Sequence, residues 1–406
     1  MSRGQRLVNS EVDKRIVIRP NKTIKKTDEG VNGLMFFGEN NDYPQLMEKL
    51  INGSVTAKTS ANVYAKFLAG AGFENEKINK IEVGTDARGK KITVQSLLRD
   101  FTKSLSRNQG SYIHCNFNLD IKIVNVHLKP FKNCRFAIPD DTGYNAKVVM
   151  HDNWEKDKDK KYKSKDVKNF NVFNVNEKAF IAEIDEAKGI DNYKGQIFFL
   201  FTDNEYFYPL SNYDEVYLDC DTESQMALFK NRQCRNGFFK KTILRIQESL
   251  TKERKAGLAE SARASLGVDG DGLWIIEDEV GEDGGFSDST GFKFEQLDSD
   301  LEDDRFKEWP KELANNIRKA AKGVPAILID YEDNKLSGTS GEAIIQATNF
   351  YNAITLDDRV EVEEAFEEIF KNFDNEVLAS NTNWKIKPLN LIEQQKDGTT
   401  DNNSTK

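Results

Sequence analysis

Gly323-Val324-Pro325-Ala326-Ile327-Leu328-Ile329-Asp330-Tyr331-Glu332-Asp333-Asn334-Lys335-Leu336-Ser337-Gly338-Thr339-Ser340-Gly341-Glu342 is the stretch that decides the reading of this chain. Val324 to Ile329 is an apolar run entered through a glycine, which predicts a short strand. Asp330 to Gly338 has no periodicity and the composition of an exposed loop. Thr339 with Glu342 three residues on is a capping-box pattern, and Ala343, Ala347, Phe350, Tyr351 and Ile354 then recur at helical spacing. Thr355-Leu356-Asp357-Asp358 interrupts that stripe, and Val362, Ala365, Phe366, Ile369, Phe370 and Phe373 resume it on an acidic helix. The expectation is a strand, a polar loop and a long helix broken in its middle, with Ile327, Ile329, Ile344 and Phe350 in the core.

Upstream, Leu313 to Ala320 predicts a helix that runs into the Gly-Val-Pro turn. At the other end of the chain, Gly38-Glu39-Asn40-Asn41-Asp42-Tyr43-Pro44 opens two amphipathic helices, separated near Gly53 and stopped by Gly70-Ala71-Gly72. Val94, Leu97, Leu98, Phe101 and Leu105 share one helical face; Ser111 to Phe117, Ile121 to Leu128, Cys134 to Ala137 and Lys147 to Met150 read as strands of two hairpins. Residues 155–168 alternate Lys with Asp as a solvated loop, and Gly195 to Phe201 is a strand. From Asp214 to Asn236 a helix closed by Gly237 carries only a thin stripe of Val216, Cys220, Ala227 and Leu228, less than a buried helix needs. Strands around Ile243, Trp274 and Phe292, with a helix from Leu250 to Leu266, lead back to the deciding segment. Residues 1–38 read as a flexible basic arm, and residues 374–406 lose periodicity and end in a tail expected to be disordered.

The chain has 406 residues, enough to bury a sizeable core, yet only 38% are hydrophobic and 31% are charged, which suits a segmented molecule with much surface. No apolar run is long enough for a membrane span and no apolar segment follows the basic start, which predicts a soluble, intracellular chain. A formal net charge of −9 argues against gripping nucleic acid by phosphate neutralisation.

Chemistry is sparse. His114, His127 and His151 lie on or near predicted strands, with no pair at metal-binding helical spacing. Cys115, Cys134, Cys220 and Cys234 are scattered, as expected of free thiols in a reducing compartment. No phosphate-cradling glycine loop with Lys-Ser or Lys-Thr occurs. Adjacent carboxylates such as Asp303-Asp304 and Asp357-Asp358 diverge by ~100° on a helix and would not share a metal. No catalytic residue, metal or cofactor is therefore assigned. The alternative left open is an acidic metal-dependent nuclease or hydrolase whose carboxylate site is unassigned.

The order of the deciding segment resembles the tunnel loop and kinked helix of tailed-bacteriophage portal proteins, of the siphophage type. Asn-Asp-Tyr-Pro at 41–44, Asp152-Asn153-Trp154, the Tyr208-Pro209-Leu210 entry to a polar helix and the Val324-Pro325 turn are similar to that family in the same order. The resemblance implies an α+β portal fold with wing, stem helices, a small β-containing clip, tunnel loop and kinked helix, and little or no crown. Its implied divisions are a basic arm at 1–38, a first wing part at 39–154, clip and adjoining stem at 155–208 and a stem helix at 209–237. A second wing part at 238–329, the tunnel loop at 330–338, the kinked helix at 339–373 and a short C-terminal segment at 374–406 complete it. The implied role is a ring, a dodecamer, at one capsid vertex, in the virion and in the host cytoplasm during assembly. It would conduct double-stranded DNA non-specifically and dock the terminase motor, a head-tail adaptor and the major capsid protein, without a membrane. Glu332, Asp333, Asn334, Lys335, Leu336 and Ser337 are the implied channel loop, and Glu223 and Lys230 the implied channel-lining stem positions.

Overall fold

The computed structural model describes residues 30–31, 33–38, 40–86, 88–152, 154, 167–203, 205–235, 242–246, 273–277, 292–296, 305–329 and 340–389. After the pair β1 (Gly30–Val31) and β2 (Leu34–Met35) come α1 (Tyr43–Gly53), α2 (Val55–Ala69), α3 (Glu76–Asn79), β3 (Glu82–Thr85), β4 (Lys91–Thr93) and α4 (Val94–Asn108). The next elements are β5 (Gly110–Phe117), β6 (Ile123–Lys129), β7 (Cys134–Phe136), β8 (Lys147–Met150), β9 (Lys168–Val172), α5 (Glu177–Ala187) and β10 (Gln196–Phe201). Then follow α6 (Tyr217–Arg235), β11 (Thr242–Ile246), β12 (Leu273–Glu277), β13 (Phe292–Gln296), α7 (Arg305–Ala320), α8 (Ser340–Ile354), α9 (Leu356–Phe370) and α10 (Glu376–Ala379). The class is α+β.

Strands β5 to β10 make one sheet in the order β6-β5-β10-β9-β8-β7. Its pairs are antiparallel except β9 with β10, which run parallel because α5 carries the chain across between them. Helices α1, α2, α4 and α9 bury their apolar stripes in one continuous core with this sheet. Thr93 and Ser96 start α4 with a reciprocal capping box, and Val94, Leu97, Leu98, Phe101 and Leu105 all point inward, as their spacing predicts. The free edge at β6 is covered: Ile123 N–H donates to Asn372 O and Asp374 N–H to Ile123 O, each at 2.8 Å, just beyond α9. A separate three-stranded sheet has the order β12-β11-β13.

Two expectations are corrected. Val324 to Ile329 is not a strand; α7 ends through Gly323 at φ 70°, and Ala326–Leu328 form a 3-10 turn behind Pro325. Gly323 and Val324 N–H groups cap the last carbonyls of α7, and Pro325 cannot donate to a ladder, so the run is spent on closing a helix. Phe350 is 58% exposed, and Ile327, Ile329 and Ile344 are half-buried rather than core; Thr348 and Tyr351 are the buried line of that helix, continued by Thr355 at the break. The stripe beyond the break holds throughout, with Val362, Ala365, Phe366, Ile369, Phe370 and Phe373 buried.

The aperiodic segment after Phe373 also folds back onto the core. Ala71 N–H donates to Lys387 O, Lys387 N–H to Gly72 O and Glu74 N–H to Lys385 O, all at 2.8 Å. This close approach needs Gly70: a Cβ there would stand 2.2 Å from Lys387 O, and its φ is 52°.

His114 and His127 face each other across β5 and β6, ring centroids 4.8 Å apart. His114 Nε2 donates to Lys194 O at 2.6 Å, and its buried Nδ1 has no hydrogen-bond partner among the described residues. Burial, with Lys129 and His127 nearby, lowers the His114 pKa to about 3, and burial with Lys129 lowers His127 to about 4. The unfolded chain therefore binds more protons between about pH 6.5 and these values, and stability falls as pH drops through that window. From pH 7 to pH 5 the His114 contribution to that loss is about 2 kcal/mol. Urea unfolding of His114→Asn should show a pH 7 to 5 decline smaller than wild type by that order; an unchanged decline would show that His114 does not carry it.

Candidate functional site

The candidate site is the broken helix α8–α9 with the helices that hold it. At the break Thr355 leaves helical dihedrals for the bridge region, φ −90° and ψ 9°, and its Oγ1 donates back to Tyr351 O at 2.9 Å. Such back-bonding competes with the helical ladder and bends the axis without unwinding it. Arg359, 2% exposed, lies across the break and donates through Nη2 to Asn352 Oδ1 at 3.1 Å and Thr355 Oγ1 at 3.3 Å. Its pKa is lowered by burial and partly restored by Glu363. One guanidinium thus ties the last turn of α8 to the first turn of α9.

The bend is also fixed from outside. Tyr351 OH donates to Ala321 O at 2.7 Å, in the turn after α7, and Asn352 Nδ2 to Leu389 O at 2.9 Å. Tyr64 of α2 donates to Asp358 Oδ2 at 2.7 Å, and burial followed by the Asp358 charge raises its pKa well above the usual phenol value. Lys322 reaches the other oxygen of Asp358 at 3.4 Å. Asp358 is a structural acceptor, and Asp357 does not share these partners. The turn that precedes residues 330–338 and the helices that follow them are therefore bonded to one another.

Helix α6 packs on α1, α2 and α7. Glu223 accepts from Thr56 Oγ1 at 2.7 Å, from Ser54 Oγ, and from Thr56 N–H at 3.4 Å. A carboxylate there meets the unsatisfied N–H groups and positive end of α2. The end of α1 also approaches α6 so closely that a Cβ on Gly53 would lie 3.2 Å from Ser224 Oγ. Cys220 is buried. The first half of α6 is anchored, and beyond it Ala227, Leu228, Lys230 and Asn231 are exposed. Of the positions that the sequence singles out, Glu223 faces α2, Lys230 is exposed, and Glu332, Asp333, Asn334, Lys335, Leu336 and Ser337 lie outside the described residues. Two features escape a reading of the sequence. Arg359 shows there only as a cation on the apolar side of an acidic helix, and the Ser54-Thr56 seat only as a capping serine before an apolar run.

No family model matches the chain, and no curated protein matches it. Among solved structures, a chain in the neck of a native gene transfer agent particle, computed with C12 symmetry, aligns over 85% of this chain and 84% of its own. The TM-score is 0.50 at 13% identity. The two chains share a fold. A chain in the virion of the native gene transfer agent aligns over 87% of this chain and 85% of its own, with TM-score 0.49 and 14% identity. An HK97-family phage portal protein from Corynebacterium diphtheriae aligns over 82% of this chain and 93% of its own, with TM-score 0.40 and 12% identity. Among the described residues no helix is long and apolar enough to cross a membrane.

Proposed function

We propose that this chain is the portal subunit of a phage-like particle, assembling into a dodecameric ring through which double-stranded DNA is packaged and ejected. The observation that carries this reading is the braced bend: the segments that precede and follow residues 330–338 are joined by Tyr351 to Ala321 O and by Lys322 to Asp358. Such flanks fix the root of a loop that has to follow a moving substrate. The shared fold with a neck chain solved in C12 symmetry supports the ring. So do apolar side chains exposed on the bent helix, Phe350 at 58% and Leu356 at 51%, which a neighbouring subunit would cover.

In this reading the loop residues Glu332 to Ser337 are nearest the DNA, and the exposed half of α6, with Lys230, lines the channel while Glu223 anchors its root. Helices α6 and α7 form the stem, and the three-stranded sheet between them in sequence supplies the clip. The segment 168–201 then belongs with the wing, since β9 and β10 are central strands of the same sheet as β5 to β8. The clip would meet the terminase motor and the head-tail adaptor, and the wing the capsid protein. The chain acts by symmetry rather than by catalysis, because each loop charge is repeated around the ring.

The test is a deletion of Glu332 to Lys335 in assembled particles. Ring incorporation should remain at the wild-type level, since the braces are untouched, while packaged DNA per head falls several-fold. Wild-type filling would remove the loop from the channel. A particle of monomer mass for the native chain, by light scattering, would remove the ring itself.

A further inference from the structure

A groove of about 400 Å³ runs between the sheet and α9, outside the bend and its braces. Phe173, Phe198 and Phe199 form one wall, and Glu361, Glu364 and Glu368 the other. The three carboxylates fall on one helical face and span ~10 Å along the axis. Glu364 and Glu368 are exposed, and among the described residues neither has a cationic partner. Glu361 Oε2 is buried and accepts no hydrogen bond among those residues. Its pKa is raised, first by burial and then by Asp358, with Lys322 acting in the opposite direction. An apolar wall facing Glu364 and Glu368, which no cation meets among the described residues, fits a lysine or arginine side chain, whose methylene stem lies on the rings while its head meets the acids.

The chain supplies such a ligand. Residues 14–26 contain Lys14, Arg15, Arg19, Lys22, Lys25 and Lys26 with Asp and Glu absent, in a protein of net charge −9. Lys22 and Lys25 stand ~10 Å apart in an extended chain, the separation of Glu361 from Glu368. The root of this segment is close by. Gly30 pairs with Met35, and Leu34 bridges Ala137 beside β7. Ala137, Lys147, Asn171 and Gln196 follow one another across the sheet in a single row, ending next to Val172 and Phe198 at the groove. Three strand spacings make that row ~14 Å, and ~26 Å of extended chain joins Lys22 to Gly30.

We propose that the basic N-terminal segment, residues 14–26, docks in the Phe173–Glu364 groove of its own chain, with Lys22 and Lys25 on the three carboxylates. This inference does not depend on the portal reading. Zero-length carbodiimide coupling of the full-length chain should join Lys22 or Lys25 to Glu364 or Glu368, and mass spectrometry should find these links in products of single-chain mass. The decisive variant is the charge-swapped chain, K22E/K25E combined with E364K/E368K. Glu364 and Glu368 are exposed, and the same position pairs should couple again with roles reversed. In 0.5 M salt, coupling should fall several-fold in both chains, roughly as screening of exposed charges requires. Links that form only between copies, segment lysines coupled elsewhere, or a swapped chain that does not regain the links would each overturn the proposal.

Discussion

Replacing Arg135 by alanine is expected to cost about 3–5 kcal/mol, the range for breaking a fully buried, fully bonded charged group. Arg135 sits in the middle of the short strand β7 and is 0% exposed. Its guanidinium donates to Asn41 O at 2.8 Å, Cys134 O at 2.7 Å and Lys132 O at 3.1 Å, and Nε donates to Asn41 Oδ1. It also lies over the rings of Phe37 and Trp154, 5.6 and 5.3 Å from their centroids. Asn41 itself is held at φ 56°, a conformation that asparagine tolerates when its side chain is bonded, and Oδ1 also accepts from Phe37 N–H. Without the guanidinium several buried carbonyls lose their donors at once, and the turn that leads into α1 loses its anchor. Arg135→Lys should recover less than half of the loss, because a point charge cannot serve the fork of acceptors. Equilibrium denaturation of the three chains checks this. A loss below about 1 kcal/mol for alanine would mean that water satisfies those carbonyls, in the manner of a solvated surface turn.

What is legible in the sequence follows from where periodicity is strong. The α4 stripe, the β5–β6 hairpin and the apolar face of α9 each show in spacing, because a half-buried element must alternate between core and solvent. The break at Thr355 is legible for the complementary reason, since Leu356-Asp357-Asp358 interrupts that spacing. Phe350 misleads because a bulky apolar residue reads as core, while the buried side of α8, continued at the break, carries Thr348, Tyr351 and Thr355, whose hydroxyl groups bond within the fold. The braces are not legible. Arg359 to Asn352, Tyr64 to Asp358 and Glu223 to Thr56 pair residues by geometry, and a polar side chain in a sequence carries no sign of its partner. The run from Val324 misleads because apolar residues that close a helix end resemble those of a buried strand.

Trp384→Ala is expected to cost about 3–5 kcal/mol, as for other large aromatic side chains removed from a core, although it lies in a segment with no periodic pattern. Trp384 is 3% exposed and stacks on Phe370 with centroids 5.2 Å apart and planes 15° from parallel. Phe73 meets it edge-on at 5.2 Å, and its Nε1 donates to Asn381 O at 3.2 Å. A segment this short orders only if a few anchors offset the conformational entropy of fixing it. Trp384 and Ile386 are those anchors, and the ladder to residues 71–74 and the bond from Ile386 N–H to Glu363 at 2.7 Å depend on them. The substitution should therefore release the whole return, which is where the effect becomes larger than a cavity. Asn352 would lose Leu389 O and Glu363 its backbone donor, so α9 would lose support at both ends while α4 and the sheet stay folded. Limited proteolysis near Lys385 and Lys387 should accelerate by at least tenfold in Trp384→Ala, and Trp384→Phe should stay within about threefold of wild type, since a ring still fills the gap between Phe73 and Phe370. Equal cleavage of all three chains would show that the return is held by its backbone ladder rather than by the indole.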